Sequence, residues 1–277
     1  AAVFVSHLTS SMTQLNMMSS QQLLHLAALR RFLLENGISD LLSRRIQHSA
    51  QYAMREQQRI TPEASVELLK TVSGTLRVEL HFELYSPFLA QHRFFSRYMV
   101  EWPNVVKRIC HEAMSIEDYT KGDDVFTDGE LPRHPKMFAV HSGRFVYERS
   151  LEFPQEVEPG TWICEAVMWT RWRHRGTLTA GSHRCRLCSL DASRFQQIVR
   201  QFKGNGYGPR EYANNFVQEL NQKGLDGSNV SDLPFDLCLP HLPVKSDKAR
   251  RESLQKVMPW LKDSAISALE PCDSRNF

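Results

Sequence analysis

The sequence predicts an α+β protein, in which a helical segment precedes an antiparallel β unit that further helices close. Two patterns carry this. Apolar residues recur at three- and four-residue spacing through the first third of the chain, and from about Ala113 to Leu190 they fall in short β-type runs separated by Gly, Pro and Asp. With 277 residues, 42% of them hydrophobic, the chain can bury one substantial core or two smaller ones.

Leu23, Leu24, Ala27, Ala28 and Phe32 form the first helical stripe, Asn36-Gly37 supplies a stop, and Ile38, Leu41, Leu42 and Ile46 begin a second. Thr61-Pro62-Glu63 combines a cap, a proline at the first helical position and an early acid, which predicts a helix through Leu68, Leu69 and Val72. Val78, Leu80, Phe82 and Leu84 alternate with Glu79, His81, Glu83 and Tyr85, so period alone reads this segment as a strand. The β runs include Met137-Phe-Ala-Val140, Arg144-Phe-Val-Tyr-Glu-Arg149 and Cys185-Arg-Leu-Cys-Ser-Leu190. Asp191 then caps a helix to about Phe202, with Phe195, Ile198, Val199 and Phe202 on one face. Gly204, Gly206 and Gly208 end it, and an amphipathic piece runs from Tyr212 to Leu220. Residues 224–244, rich in Gly, Pro, Asp and Ser, read as a linker, and Leu254, Val257, Met258 and Leu261 line a short basic helix interrupted by Pro259.

The net charge of +3 is the difference between 34 basic and 31 acidic residues, so no strong field points to nucleic acid or an anionic membrane. Six scattered cysteines, at 110, 164, 185, 188, 238 and 272, suit a reducing compartment. No run approaches the roughly 20 apolar residues of a membrane span. The chain opens on Ala1-Ala-Val-Phe-Val5, without an initiating Met, and we expect it to be a piece of a longer protein.

Cys185 and Cys188 have a metal-chelating spacing, but residues three apart on a strand point to opposite faces, and no second pair matches them. No metal site is expected. The glycines after Phe202 lack a surrounding βαβ unit, and no Gly-x-Ser-x-Gly elbow occurs, so no catalytic residues and no enzyme are expected. One stretch stands out, Gly160 to Gly176, reading GTWICEAVMWTRWRHRG. Glu165 could accept from sugar hydroxyls, an arginine could fork onto phosphate oxygens, and a turn after Gly160 could aim N–H groups inward. The same residues also read as plain core, with Trp162, Ile163, Val167 and Met168 under Trp169 and Trp172 and the arginines solvated.

Four blocks, Tyr119 to Glu130, Lys136 to Gly143, Gly160 to Gly176 and Cys185 to Phe195, resemble in order and spacing the cyclic nucleotide-binding β-roll. The preceding helices, Leu29 to Ile46, Leu68-Leu69 and Leu76-Arg77 through Pro87-Phe88, resemble the C-linker of cyclic nucleotide-gated, hyperpolarisation-activated and related potassium channels. The resemblance spans roughly residues 5–202. It implies a helical C-linker followed by a jelly-roll-like antiparallel β-roll with closing helices, and a helix at Val78 to Leu84. Residues 1–20 would continue the pore-lining helix, 21–95 form the C-linker, 96–222 the cyclic nucleotide-binding domain, and 223–277 a linker and short helix.

The function so implied is a gating module on the cytosolic face of a membrane. It would assemble as a homotetramer through the C-linker, beneath a membrane pore domain outside this chain, in a cation channel of the potassium type. It would either bind cAMP or cGMP or act as a nucleotide-free homologue. A soluble cyclic-nucleotide sensor, such as a kinase regulatory subunit, is the alternative, and would need an inhibitory segment or a second nucleotide domain. The resemblance places the ligand against Ile163, Cys164, Glu165, Ala166, Arg175 and Thr177. Glu165 keeps the ribose carboxylate, while Cys164 stands where the family has glycine. The family's phosphate arginine falls nine residues after the glutamate, at His174, so Arg175 takes that role only if the loop carries a one-residue insertion. Gly176 replaces the threonine that usually follows, with Thr177 next to it.

Overall fold

The computed structural model describes residues 24–59, 63–150, 152–202, 207–225 and 230–234. The chain divides into two compact units, residues 1–72 and 73–277.

In the first unit, helix α1 covers residues 24–35 and α2 covers Asp40–Arg59. Between them Gly37 adopts φ +63°, a left-handed turn that glycine makes at little cost, and Ile38 N–H returns to the Leu33 carbonyl. The expected stop at Asn36-Gly37 is therefore a built C-cap. The cap residues Thr61 and Pro62 lie outside the described residues. Downstream the predicted single helix is broken: a 3₁₀ turn, Glu63–Ser65, precedes α3, Glu67–Thr71. Val66 between them has no side-chain oxygen to cap the helix, and Val72 is already extended.

The second unit begins with α4, Gly74–Gln91. Its first turn is capped by the Ser73 hydroxyl, which accepts from Leu76 N–H. The alternating segment Val78 to Leu84 is helical, as the resemblance implies and contrary to its two-residue period. Packing explains why: the buried residues Phe82, Tyr85, Ser86, Leu89 and Ala90 are three and four apart, while Leu80 and Leu84 face outward. Helix α5, Arg93–Glu101, follows at once, its N-terminal Phe94 N–H held by Nδ1 of His92. Pro103 opens α6, Pro103–Glu112, at the position where a missing N–H costs nothing.

Among the described residues eight strands then build two antiparallel four-stranded sheets. They are β1 Met114–Tyr119, β2 Asp124–Phe126, β3 Lys136–Ser142, β4 Phe145–Glu148, β5 Gln155–Val157, β6 Trp162–Ile163, β7 Thr177–Ala180 and β8 Cys185–Asp191. One sheet is ordered β1-β8-β3-β6 and the other β2-β7-β4-β5. The four-residue helix α7, Ala166–Trp169, leaves the end of β6. Helix α8, Ala192–Gln201, is capped by Asp191, whose Oδ1 accepts from Arg194 N–H at 2.7 Å, and α9 spans Pro209–Leu225. Phe195 and Ile198 of α8 are buried as expected, whereas Phe202 lies beyond the helix end and is exposed, because its extended backbone swings it off the face. Phe94 of α5 is the aromatic hub that ties these helices together: its ring meets Phe95, Tyr98, Trp169, Phe195, Tyr207 and Tyr212. Among the described residues no helix is long and apolar enough to cross a membrane.

Candidate functional site: a cradle filled by its own chain

The chain around Glu165 folds back on itself just after β6. Ile163 is fully buried and pairs with Phe138 across β3, and Ala166 is buried at the start of α7, so both belong to the core. Cys164 between them carries φ +64°, a left-handed backbone that costs a non-glycine residue of order 1 kcal/mol. Glycine would adopt this turn freely. The turn aims Cys164 N–H inward, where it donates to the Asp232 main-chain carbonyl at 2.7 Å.

Glu165 is placed at the rim but is already engaged. Its carboxylate accepts from the Trp169 indole (3.2 Å) and the Tyr212 hydroxyl (2.8 Å) and lies 3.3 Å from Nε2 of His92. Burial alone would raise its carboxyl, but the His92 charge and these hydrogen bonds outweigh that and hold it below the usual range. The donors come from α5's cap, α7 and α9, so Glu165 pins three helical elements to one point.

The centre of the cradle holds a second carboxylate, that of Asp232. Its Oδ1 accepts from the Trp172 indole (2.6 Å) and lies 2.9 Å from His174 Nδ1; its Oδ2 accepts from the Tyr147 hydroxyl (2.8 Å) and the Arg175 N–H (2.6 Å). Asp232 N–H in turn donates to the Tyr147 oxygen at 3.2 Å. The Cys164 thiol completes the ring, 3.8 Å from Oδ1 and 3.7 Å from His174 Nδ1. The Asp232 side chain is completely buried. Burial would raise its carboxyl, but the donors from His174, Trp172, Arg175 and Tyr147 prevail and lower it, so the group is an anion held by fixed dipoles.

The surroundings are built to fit. His174 stacks on Phe126 with ring centroids 4.0 Å apart and nearly parallel planes. Main-chain bonds between His174 and the turn at Gly129 and Glu130 fix the loop on both sides. Gly176 has no room for a side chain: a Cβ there would come within 2.8 Å of the Tyr147 hydroxyl and 2.5 Å of the Glu148 carbonyl. The missing threonine of the resemblance is thus replaced by a close approach to Tyr147.

Of the six expected ligand residues, the structure gathers Cys164 and the Arg175 backbone around one anion. The Arg175 guanidinium is elsewhere, 5.5 Å above the Trp172 ring on an exposed side chain. Thr177 uses its hydroxyl to accept from Asp128 N–H. It is His174, nine residues after Glu165, that turns inward. Sequence reasoning missed Asp232, Tyr147, His92 and Tyr212. The linker reading of residues 224–244 is corrected for its described part: residues up to 225 complete α9, and 230–234 bring Asp232 into the core, because three buried side chains, the Arg175 N–H and a main-chain bond hold it there. The thiols of Cys185 and Cys188 are free and buried, Cys185 hydrogen-bonding to the Arg144 carbonyl.

Compared with known proteins, the chain matches no protein-family model and no curated protein sequence.

Proposed function

We propose that residues 96–234 are a regulatory module of the cyclic nucleotide-binding type whose cradle is closed by its own segment 230–234 instead of a nucleotide. In this reading the module stands behind a C-linker in a tetrameric cation channel of the potassium type, on the cytosolic face, and transmits its conformation to a pore outside this chain. The order of the two sheets, with α7 after β6 and closing helices after β8, supports a jelly-roll-like β-roll. The paired helices α1 and α2 support the C-linker.

The observation that carries the reading is the Asp232 carboxylate. It sits against His174, where the resemblance puts the phosphate-binding position, and it collects the donors a cyclic phosphate would need. A negative group built into the chain competes for that place at very high effective concentration. Glu165, the ribose partner of the resemblance, is likewise taken by Tyr212 and His92. Signal would then come from release or docking of segment 230–234, which biases α9 through a two-state equilibrium.

Calorimetric titration of the full chain with cAMP and cGMP tests this. Wild type is expected to show no saturable binding up to about 1 mM, near −4 kcal/mol, and Asp232→Ala to gain it. Micromolar binding to wild type would reject closure by the chain itself. Absence of binding to both proteins would reject the nucleotide ancestry of the cradle.

A further inference from the structure

We propose that Cys164, His174 and Asp232 form a binding site for one transition-metal ion of the zinc class, which fastens segment 230–234 into the cradle. The inference rests on the closure reading above and adds to it a chemical lock. The three ligand atoms, Sγ, Nδ1 and Oδ1, lie 3.7, 3.8 and 2.9 Å from one another. Zinc bonds of about 2.3 Å to sulfur and 2.0–2.2 Å to nitrogen and oxygen at tetrahedral angles need edges of about 3.4–3.6 Å. Two edges already fit, and the third needs His174 and Asp232 to part by about half an ångström, as they would once a cation replaces the proton between them.

Donor chemistry and charge point the same way. Thiolate, imidazole and carboxylate are the set that borderline-soft divalent ions prefer. One dication, one thiolate, one carboxylate and a neutral imidazole sum to zero, so binding removes the net negative charge that Asp232 otherwise carries into the interior. The outer shell is in place: Tyr147 and Arg175 N–H hold Oδ2, Trp172 holds Oδ1, and Phe126 fixes the plane of His174. The left-handed backbone at Cys164 belongs to the same arrangement, since it places the thiol beside the other two ligands. Binding expels the thiol proton to solvent, and the imidazole proton that faces Asp232 from Nδ1 is given up to solvent and regained on Nε2, so one proton is released per ion bound and the imidazole stays neutral. Three protein ligands leave a fourth position for water.

The ligands come from three separate stretches, the β6–α7 turn, the loop before β7 and the segment after α9. An ion across them would staple residues 230–234 to the β unit, and its removal would loosen them.

The full chain is titrated with Co²⁺ and Zn²⁺ under reducing conditions. The expected results are one metal per chain by elemental analysis, a thiolate-to-cobalt charge-transfer band in the near ultraviolet, and displacement of cobalt by zinc. Cys164→Ser should abolish the charge-transfer band, and His174→Gln or Asp232→Asn should weaken binding by more than the roughly 10–100-fold expected of Tyr147→Phe in the outer shell. Cys188→Ala, on β8, should bind as wild type. Failure of wild type to bind either ion, or a cobalt band that survives Cys164→Ser, overturns the site. Hydrogen exchange of residues 230–234 separates the two proposals. Protection in protein that binds no metal rejects the ion and keeps the closure, whereas absence of protection with metal bound elsewhere rejects both.

Discussion

The Tyr212 hydroxyl donates to Oε1 of Glu165 over 2.8 Å, joining helix α9 to the turn that opens the cradle. Burial pushes the Tyr212 phenol well above its usual range, so it remains a donor, and the lowered Glu165 carboxyl remains an acceptor. A hydrogen bond to a charged group contributes about 1.5–3 kcal/mol. Tyr212→Phe should therefore destabilise the protein by about that amount in urea denaturation and increase hydrogen exchange in α9. A loss below about 0.5 kcal/mol would show that α9 is held by its aromatic packing alone.

Asp232 should matter far more than the arginines near it. Asp232→Ala leaves Trp172, Tyr147 and the Arg175 N–H without their acceptor in a buried place, which costs about 3 kcal/mol or more. Arg175→Ala keeps the backbone donor and removes a guanidinium that only covers Trp172, so the loss should stay below about 1 kcal/mol. Thermal and urea unfolding of both variants checks the ranking, and a larger loss from Arg175→Ala would refute it.

Gly176→Ala should act on the same carboxylate from outside. The added Cβ would lie 2.7 Å from Cζ and 2.8 Å from Oη of Tyr147, with the Glu148 carbonyl at 2.5 Å, so either strand β4 or the tyrosine must move. Displacing Tyr147 breaks its bond to Asp232. A destabilisation of at least about 2 kcal/mol is expected, together with greater exposure of Tyr147 by ultraviolet difference spectroscopy. A neutral Gly176→Ala would mean the strand yields without cost.

Glu117 sets a pH limit. It accepts from Lys136 (2.7 Å), Ser189 (2.7 Å) and Tyr119 (2.8 Å). Burial would raise its carboxyl, but these bonds and the lysine charge outweigh it and the value falls below the ordinary range. A carboxyl lowered on folding contributes stability above its unfolded value, about 4.3, and loses it as pH falls through the folded value. Stability of wild type should therefore drop more steeply than that of Glu117→Gln as pH falls below about 4.3. Parallel curves would show that Glu117 is not the responsible group.

Much of the scaffold was legible in residue order because helices and strands are decided within a few residues. The stop at Asn36-Gly37, the cap at Asp191 and the strands around Met137, Val146 and Leu187 all follow from local period and turn chemistry. Where local signals conflicted, at Val78 to Leu84, the side chains buried against the core decided for a helix. The inward turn at Cys164 and the place of His174 depended on backbone torsion, which residue identity there does not announce. Asp232 had no local signal at all, since Ser231-Asp232-Leu233-Pro234 reads like any polar connection. Its partners Tyr147 and Arg175 lie 85 and 57 positions away. Only the fold brings those donors to one point, and only there does it become favourable to bury a charge that water would otherwise hold.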